Sequence, residues 1–257
     1  GECFIMKAAA RRKAIVDLID SEGSVSFATL KASFPSVSEA TLRNDLKVLD
    51  EGNHIVRVFG GAKSVQQVIG TDDYYFLRSQ RNVAKKQLIA QKAIALLRPN
   101  DSIYLDSGTT LMEFAKCIPD DRYLILTSGL NSAIEMAQLS QASVHVVGGE
   151  LNRFSLSTFG EKSVTELQSI NFNTAFLGAT SYSEKYGFMC GSENESILKR
   201  TVMERSGKVI LLMDSSKIGK TSTYTFAAPG SVDILVSDDD LSERTRHNFE
   251  SRHVVII

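Results

Sequence analysis

Seven short runs of mainly apolar residues constrain this chain more than anything else in it: SIYLD (102–106), YLILT (123–127), SVHVV (143–147), TAFLG (174–178), VILLMD (209–214), DILVSD (233–238) and HVVII (253–257). Near-continuous Val, Ile and Leu marks strands buried on both faces rather than strands with one wet face. Helical stretches over 130–139, 194–206 and 241–249 separate several of them. A further helix over 79–97, with Leu88, Ile89, Ala93, Ile94 and Leu97 inward, precedes the first strand and stops at Pro99-Asn100-Asp101. Alternation of this kind predicts an α/β domain over 79–257, a mostly parallel sheet covered by helices.

Residues 1–62 follow another pattern. Ile15, Leu18 and Ile19 share one side of a helix within 11–20 that ends at Glu22-Gly23. A second helix starts near Ser26, contributes Leu30 and Phe34, and stops at Pro35. Ser38 then caps a third helix, with Glu39 in its first turn, Leu42, Leu46 and Leu49 on one stripe, and Gly52 closing it. His54 to Phe59 mixes β-branched and polar residues before Gly60-Gly61, as a short β-hairpin does. Three helices and a wing make a winged helix-turn-helix, and residues 63–78, with Gly70 and Asp72-Asp73, read as the connection to the larger domain.

The third helix carries the chemistry of DNA reading on the face opposite its leucines: Ala40, Thr41, Arg43, Asn44 and Lys47, with Ser38 at its start. Arg pairs with guanine and Asn with adenine in the major groove, while Thr and Lys reach bases or phosphate. Arg57 on the wing joins this set. Residues 1–63 hold nine Lys and Arg against eight Asp and Glu, the remainder 20 against 22, so no broad basic surface exists. The cations are local instead, at Lys7, Arg11, Arg12 and Lys13 and at Arg43, Lys47, Arg57 and Lys63, where phosphate contacts are expected.

In open α/β sheets ligands bind beyond the carboxyl ends of the strands, so the residues following each strand are the candidate site of the large domain. Asp106, Ser107, Gly108, Thr109 and Thr110 leave one strand and open a helix, offering amides, hydroxyls and a positive helix end to an anion. Thr127 and Ser128 follow the next strand, and Gly148, Gly149 and Glu150 another. Asp214 ends a later strand with Lys217 close behind, and Lys199 on the preceding helix is a second candidate cation. The loop at 107–110 lacks the Gly-Lys-Ser/Thr ending of a Walker A motif and the three glycines of a dinucleotide fingerprint, so no nucleotide cofactor is expected.

Composition excludes further classes. A chain of 257 residues with 43% hydrophobic and 23% charged residues is globular material for one small and one medium domain. Three dispersed cysteines and four histidines without ligand spacing argue against a disulfide framework and against a metal site. Without an apolar run of membrane-spanning length, a cytoplasmic location is expected.

Taken in order, SEATLRNDL (38–46), RVFGGA (57–62), Arg78 with Lys86-Gln-Leu-Ile-Ala, LDSGTT (105–110), LTSGLN (126–131), VVGGEL (146–151), FGE (159–161), AFLGA (175–179), Glu195 with Lys199, and DSSKIG (214–219) resemble the DeoR family of bacterial transcriptional regulators. The resemblance implies a winged helix-turn-helix joined to a sensor and oligomerisation domain similar in fold to ribose-5-phosphate isomerase. It implies a homo-oligomer, dimer or tetramer, that binds operator DNA and represses a sugar operon until a phosphorylated sugar arrives. Two departures stand out. Asn44 occupies a place where the family often has Arg, and Thr127-Ser128-Gly129 replaces Thr-Asn-Ser, so neither operator nor sugar transfers with the resemblance.

By the same resemblance, the isomerase places catalytic carboxylates after the strand matching TAFLG, where this chain has Ala179-Thr180-Ser181-Tyr182-Ser183. Binding without catalysis is therefore expected. An isomerase-like enzyme and a DNA-binding protein without an effector are the competing readings. In the favoured one the phosphate sits on 107–110 with Lys199 or Lys217 assisting, and Asp106, Asp214 or Glu150 accepts hydrogen bonds from sugar hydroxyls.

Overall fold

A computed structural model describes residues 8–51, 54–58, 60–64 and 75–257. The chain divides into two compact units, Gly1–Ile69 and Gly70–Ile257.

In the first unit α1 (Ala8–Glu22) leads through β1 (Ser24–Ser26) into α2 (Phe27–Ser33), then α3 (Glu39–Glu51) and the hairpin β2 (Ile55–Val58) and β3 (Gly61–Ser64). Ile15, Ile19, Val25, Leu30, Leu42, Leu46, Leu49, Ile55 and Ala62 form one buried core, which is the reason the leucine spacing of α3 fixes how that helix sits. Each valine, leucine or isoleucine among them contributes about 1.5–3 kcal/mol by leaving water. Ser26 and Ser38 cap α2 and α3 by accepting from the amides of Thr29 and Thr41.

The hairpin expected from 54–61 is present, but it is part of an antiparallel three-stranded sheet, β1-β3-β2. β1 is too short and polar to announce itself. Gly61 is what lets it dock, since a Cβ there would lie 2.3 Å from the Val25 carbonyl oxygen. Lys63 and Ser64, read as connection in the sequence, belong to β3. Lys63 pairs opposite Ser24, and the buried Ser64 hydroxyl donates to Asp20. Of the expected connection, 65–74 lie outside the described residues, as do Lys7, Gly52 and Phe59 among the residues assigned roles above.

The second unit opens with α4 (Tyr75–Gln80) and α5 (Val83–Ile94). One continuous helix over 79–97 is therefore not what forms. Asn82 takes a left-handed conformation (φ 52°) and separates the two, and its side-chain amide donates to Asp214 Oδ1 (3.1 Å) and Ser216 Oγ (3.0 Å). There follow β4 (Ser102–Leu105), α6 (Thr109–Cys117), β5 (Leu124–Thr127), α7 (Leu130–Met136), β6 (Ser143–Val146), the hairpin β7 (Glu150–Asn152) and β8 (Ser157–Phe159), and α8 (Glu161–Gln168). The remainder comprises β9 (Thr174–Gly178), β10 (Ser181–Ser183), β11 (Gly187–Cys190), α9 (Glu193–Glu204), β12 (Val209–Leu212), a 3-10 turn at Ser215–Lys217, β13 (Tyr224–Ala227), β14 (Ile234–Val236), α10 (Glu243–Glu250) and β15 (Val255–Ile256).

All seven apolar runs become strands of one sheet, ordered β15-β14-β12-β9-β4-β5-β6, and every pairing is parallel. Alternate residues face opposite cores. Tyr104, Leu126, Leu177 and Leu211 pack on one side with Leu198, Val202 and Phe249, whereas Ile103, Leu105, Ile125, Phe176 and Ile210 pack on the other with Ile89, Phe114 and Ala115. The antiparallel additions β7–β8 and β10-β11-β13 were not expected; their strands are only three or four residues long.

Strand order decides where a ligand can enter. From β4 the chain steps outward to β5 and β6, then returns to lay β9 on the other side of β4 and continues through β12, β14 and β15. Connections leave β4 and β9 in opposite directions, which opens a crevice above their carboxyl ends.

Candidate functional site

On α3, Leu42, Leu46 and Leu49 face the core, and Ala40, Arg43, Asn44 and Lys47 are exposed on the other side with Thr41 half-buried. The Arg43 guanidinium lies 4.2 Å from the centroid of the Phe27 ring and 3.7 Å from Glu39, yet its side chain is 64% exposed. Stacking on Phe27 orients the planar fork without covering its donors. Arg57 projects from β2, its backbone amide held by Asp50 (2.9 Å).

Arg11 and Arg12 also hold the unit together. Their Nε atoms bind the two oxygens of buried Asp45, at 2.5 and 2.8 Å. Burial alone would raise the Asp45 pKa, but the hydrogen bonds and charges of both arginines outweigh it and hold the carboxyl below its usual range. Asp45 lies between the exposed Asn44 and the core residue Leu46, so the pair fixes α1 against the recognition helix.

At the switch point of the large sheet, Lys199 reaches from α9 and donates to Asp106 and to the Gly178 carbonyl (2.9 Å), with Glu195 3.2 Å away. Gly178 in turn donates its amide to Asp106 Oδ2 (2.9 Å). Lys199 and Asp106 are each 1% exposed. Burial opposes the charge of Lys199, but the two carboxylates prevail and hold it protonated. These residues form the floor of the crevice.

Ser107–Thr110 rise from that floor into α6, whose first-turn amides have no partner within the helix. Gly129 packs against Ser107, so the loops after β4 and β5 touch. Thr127 and Ser128 themselves are fully buried: Thr127 Oγ1 accepts from the Gly129 amide (3.0 Å), and Ser128 shares a hydrogen bond with the Tyr104 hydroxyl (2.9 Å). They shape the loop from below and do not line its surface. Gly148-Gly149-Glu150 stands at the end of edge strand β6, two strands or roughly 10 Å from β4. Gly148 is bonded to Glu166 and Ser163, and Gly149 (φ 144°) packs where a Cβ would meet Ser163 Oγ at 2.2 Å. Close packing accounts for Gly149, and nothing in the geometry joins this segment to Lys199.

Asp214 and Lys217, by contrast, sit in a cluster of charge. Asp214 is buried, caps the turn at 215–217 and accepts from Asn82. Burial lowers the pKa of Lys217, with Arg78, Lys220 and Arg81 adding repulsion against the attraction of Asp214. Lys86, 4% exposed on α5, donates to the Arg78 carbonyl. Burial pushes its pKa down to about 8, with Lys217 and Arg78 contributing and Asp214 opposing. Arg78 and Lys217 thus both weigh on the charge of Lys86, opposed by an Asp214 already engaged by neutral donors, and positive charge concentrated in this way attracts an anion. Among the described residues no group of three or more His, Cys, Asp or Glu could hold a metal ion, and no helix is long and apolar enough to cross a membrane.

Comparison with known proteins identifies both units. Residues 11–68 match the model of the DeoR-like helix-turn-helix domain, and residues 81–239 match the DeoR C terminal sensor domain. The chain belongs to the DeoR family. It is a helix-turn-helix transcriptional regulator, similar to the HTH-type transcriptional regulator GlpR of Haloferax volcanii, with 30% identity over 98% of each chain. It is similar also to a putative aga operon transcriptional repressor of Escherichia coli O157:H7 (28%, over all of this chain and 96% of the other) and to the HTH-type transcriptional repressor GlcR of Bacillus subtilis (28%, over 89% and 87%). Among solved structures, ribose 5-phosphate isomerase A from Methanocaldococcus jannaschii aligns over 53% of this chain and 55% of its own, with 16% identity and TM-score 0.40.

In this DeoR-family chain, Arg78 and Lys86 are landmarks of the resemblance whose position in the fold the sequence does not announce. The signal for Lys86 was available: it shares the buried stripe of α5 with Ile89, Ala90 and Ala93, a place where a lysine is costly unless it has work to do.

Proposed function

We propose that this regulator is a repressor of a sugar uptake or catabolism operon, working in the cytoplasm as a homo-oligomer and released from operator DNA by a phosphorylated sugar. The winged unit reads DNA through Ser38, Ala40, Thr41, Arg43, Asn44, Lys47 and Arg57. The second unit carries the sensing crevice and the oligomer contacts. Two of the relatives above are named as repressors, one of them of the aga operon.

The observation that carries the sensing role is the positive charge of the buried Lys86 and of Lys217, each weighed on by Arg78 and countered by Asp214, on a sheet whose crevice is opened by Ser107–Thr110 and the N-terminus of α6. A phosphate monoester brings negative charge to these cations, and its polyol presents hydroxyls to Asp106 and Asp214. Catalysis is not part of the reading. The segment after β9 becomes β10 without a carboxylate, and Glu184 beyond it lies 3.6 Å from Arg244 at the surface.

Titrating purified protein on DNA from upstream of its own gene, with sugar phosphates and the matched free sugars, tests this. One phosphorylated sugar that lowers operator affinity 5–150-fold, a coupling of about 1–3 kcal/mol, is the expected result. Operator binding indifferent to every sugar phosphate favours a DNA-binding protein without an effector.

A further inference from the structure

Resting on the sensing role proposed above, we propose that Lys85 and Asp238 are positioning residues of the effector site: together they hold the turn at 215–217 in the place from which Lys217 meets an anion. Neither of them touches the ligand.

The turn is a three-residue 3-10 segment after β12, too short to hold itself. Three other parts of the second unit hold it. From α5, the Lys85 ammonium donates to Ser215 Oγ (2.7 Å) and to Asp238 Oδ1 (3.2 Å), and it lies 2.8 Å from Asp240 Oδ2. From the loop after β14, the strand paired with β12, Asp238 Oδ2 accepts from the Ser215 amide (2.7 Å), and Oδ1 accepts also from the Asp240 amide (3.0 Å). Ser215 is thus gripped at both its amide and its hydroxyl. Asn82, just ahead of α5, completes the clasp through Asp214 and Ser216.

Two observations set this clasp apart from ordinary packing. Asp238 is 2% exposed, a position where a carboxylate is unfavourable unless it is bonded. Burial would raise its pKa, but hydrogen bonds from Ser215, Asp240 and Lys85 outweigh it and hold the carboxyl below its usual range. A buried, ionised group is therefore devoted to one short turn.

The second observation concerns what the turn carries. Lys85, Lys86, Lys92 and Lys199 each donate to a protein oxygen, whereas the half-buried Lys217 ammonium closes no hydrogen bond or ion pair among the described residues. Its backbone amide, by contrast, is bonded to the Asp214 carbonyl (3.1 Å). A cation fixed through its backbone and open at its tip is organised in advance for a ligand.

Calorimetric titration of the full-length protein with inorganic phosphate, ribose 5-phosphate and glucose 6-phosphate tests the proposal. Lys85→Met and Asp238→Asn should each weaken phosphate binding about three- to tenfold. The second variant is the sharper of the two, because it removes a negative charge and charge alone would make phosphate bind more tightly. In a Lys217→Met background either substitution should weaken binding by less than about 1.5-fold further, since the clasp acts through Lys217. Thermal unfolding of each ligand-free variant accompanies the titrations. Where one lacks a folding transition, Ser215→Ala replaces it, removing a single bond of the clasp, and should shift phosphate affinity in the same direction.

Unchanged or tighter phosphate binding in folded Asp238→Asn overturns the clasp, as do equal losses with and without Lys217 or an unaltered affinity in Ser215→Ala. Each of these results leaves the sensing role standing. A parent protein that binds none of the three probes overturns the sensing role and the clasp with it.

Discussion

A single ammonium pins together the two strands between which the sheet reverses direction: Lys199 donates to Asp106 at the end of β4 and to the carbonyl of Gly178 at the end of β9. Because the pair is sealed from water, neither partner tolerates loss of the other. Lys199→Met should destabilise the second unit by about 3–5 kcal/mol, since it strands a buried carboxylate. Urea unfolding of Lys199→Met, Asp106→Asn and the double variant checks this. The double variant should recover much of the loss, and a double variant as unstable as the sum of the two would show that packing, not charge pairing, is at stake.

In the winged unit the sign of the pH dependence follows from Asp45. Its carboxyl is held below the usual range in the folded protein, so the stability it confers is complete above the unfolded value of about 4 and is lost as pH falls through the folded value. Asp45→Asn should lower stability by about 1–3 kcal/mol at neutral pH. It should also flatten the acid limb of a thermal-unfolding series below pH about 4. An acid limb identical to that of the parent chain would remove Asp45 from the account.

Arg43→Ala should leave the helix folded, because the side chain is largely exposed, and should cut specific operator affinity by about 1–3 kcal/mol, the worth of a bidentate base contact. Phe27→Leu removes the ring beneath it and should produce a smaller loss in the same direction. Binding isotherms on operator and scrambled DNA distinguish base reading from phosphate contact. Equal losses on both sequences would reassign Arg43 to the backbone.

Lys86 links anion binding to alkaline pH. Burial pushes its pKa down to about 8, so its charge fades as pH rises through that value, and phosphate affinity should fall in parallel. The same lowering makes the protonated lysine a liability at neutral pH, because folding then buries a charge that the unfolded chain keeps in water. Lys86→Met should therefore stabilise the ligand-free unit by about 1–2 kcal/mol at pH 7, less than the shift alone implies because the ammonium keeps its bond to the Arg78 carbonyl. Calorimetric titration with phosphate across pH 6–10, on parent and variant, reads both effects. A pH-independent affinity in the parent chain would exclude Lys86 from the site.

What could be read in the sequence was whatever a local period carries. The seven strands announced themselves because burial on both faces leaves no polar alternation. The recognition helix did so because Leu42, Leu46 and Leu49 share a stripe and Ser38 caps it. The break at Asn82 was hidden, since its cause is a side-chain bond to Asp214 and Ser216, more than a hundred residues away in sequence. Distance in sequence likewise concealed that Asp45 pairs with Arg11 and Arg12. Thr127 and Ser128 were legible as loop residues but not as buried ones. A hydroxyl after a strand can point up to solvent or down to Tyr104, and composition does not say which.

Late closure of the crevice has a consequence during synthesis on the ribosome. The winged unit is complete once residue 69 has emerged, whereas the crevice has only one wall until β9 takes its place beside β4. Domains that emerge first fold first. A nascent chain, or one truncated by a nonsense codon before residue 174, therefore presents a finished DNA-reading unit with no way of being told to let go. Lesions late in the gene should accordingly divide by position: those that spare the first unit leave DNA reading separated from effector control.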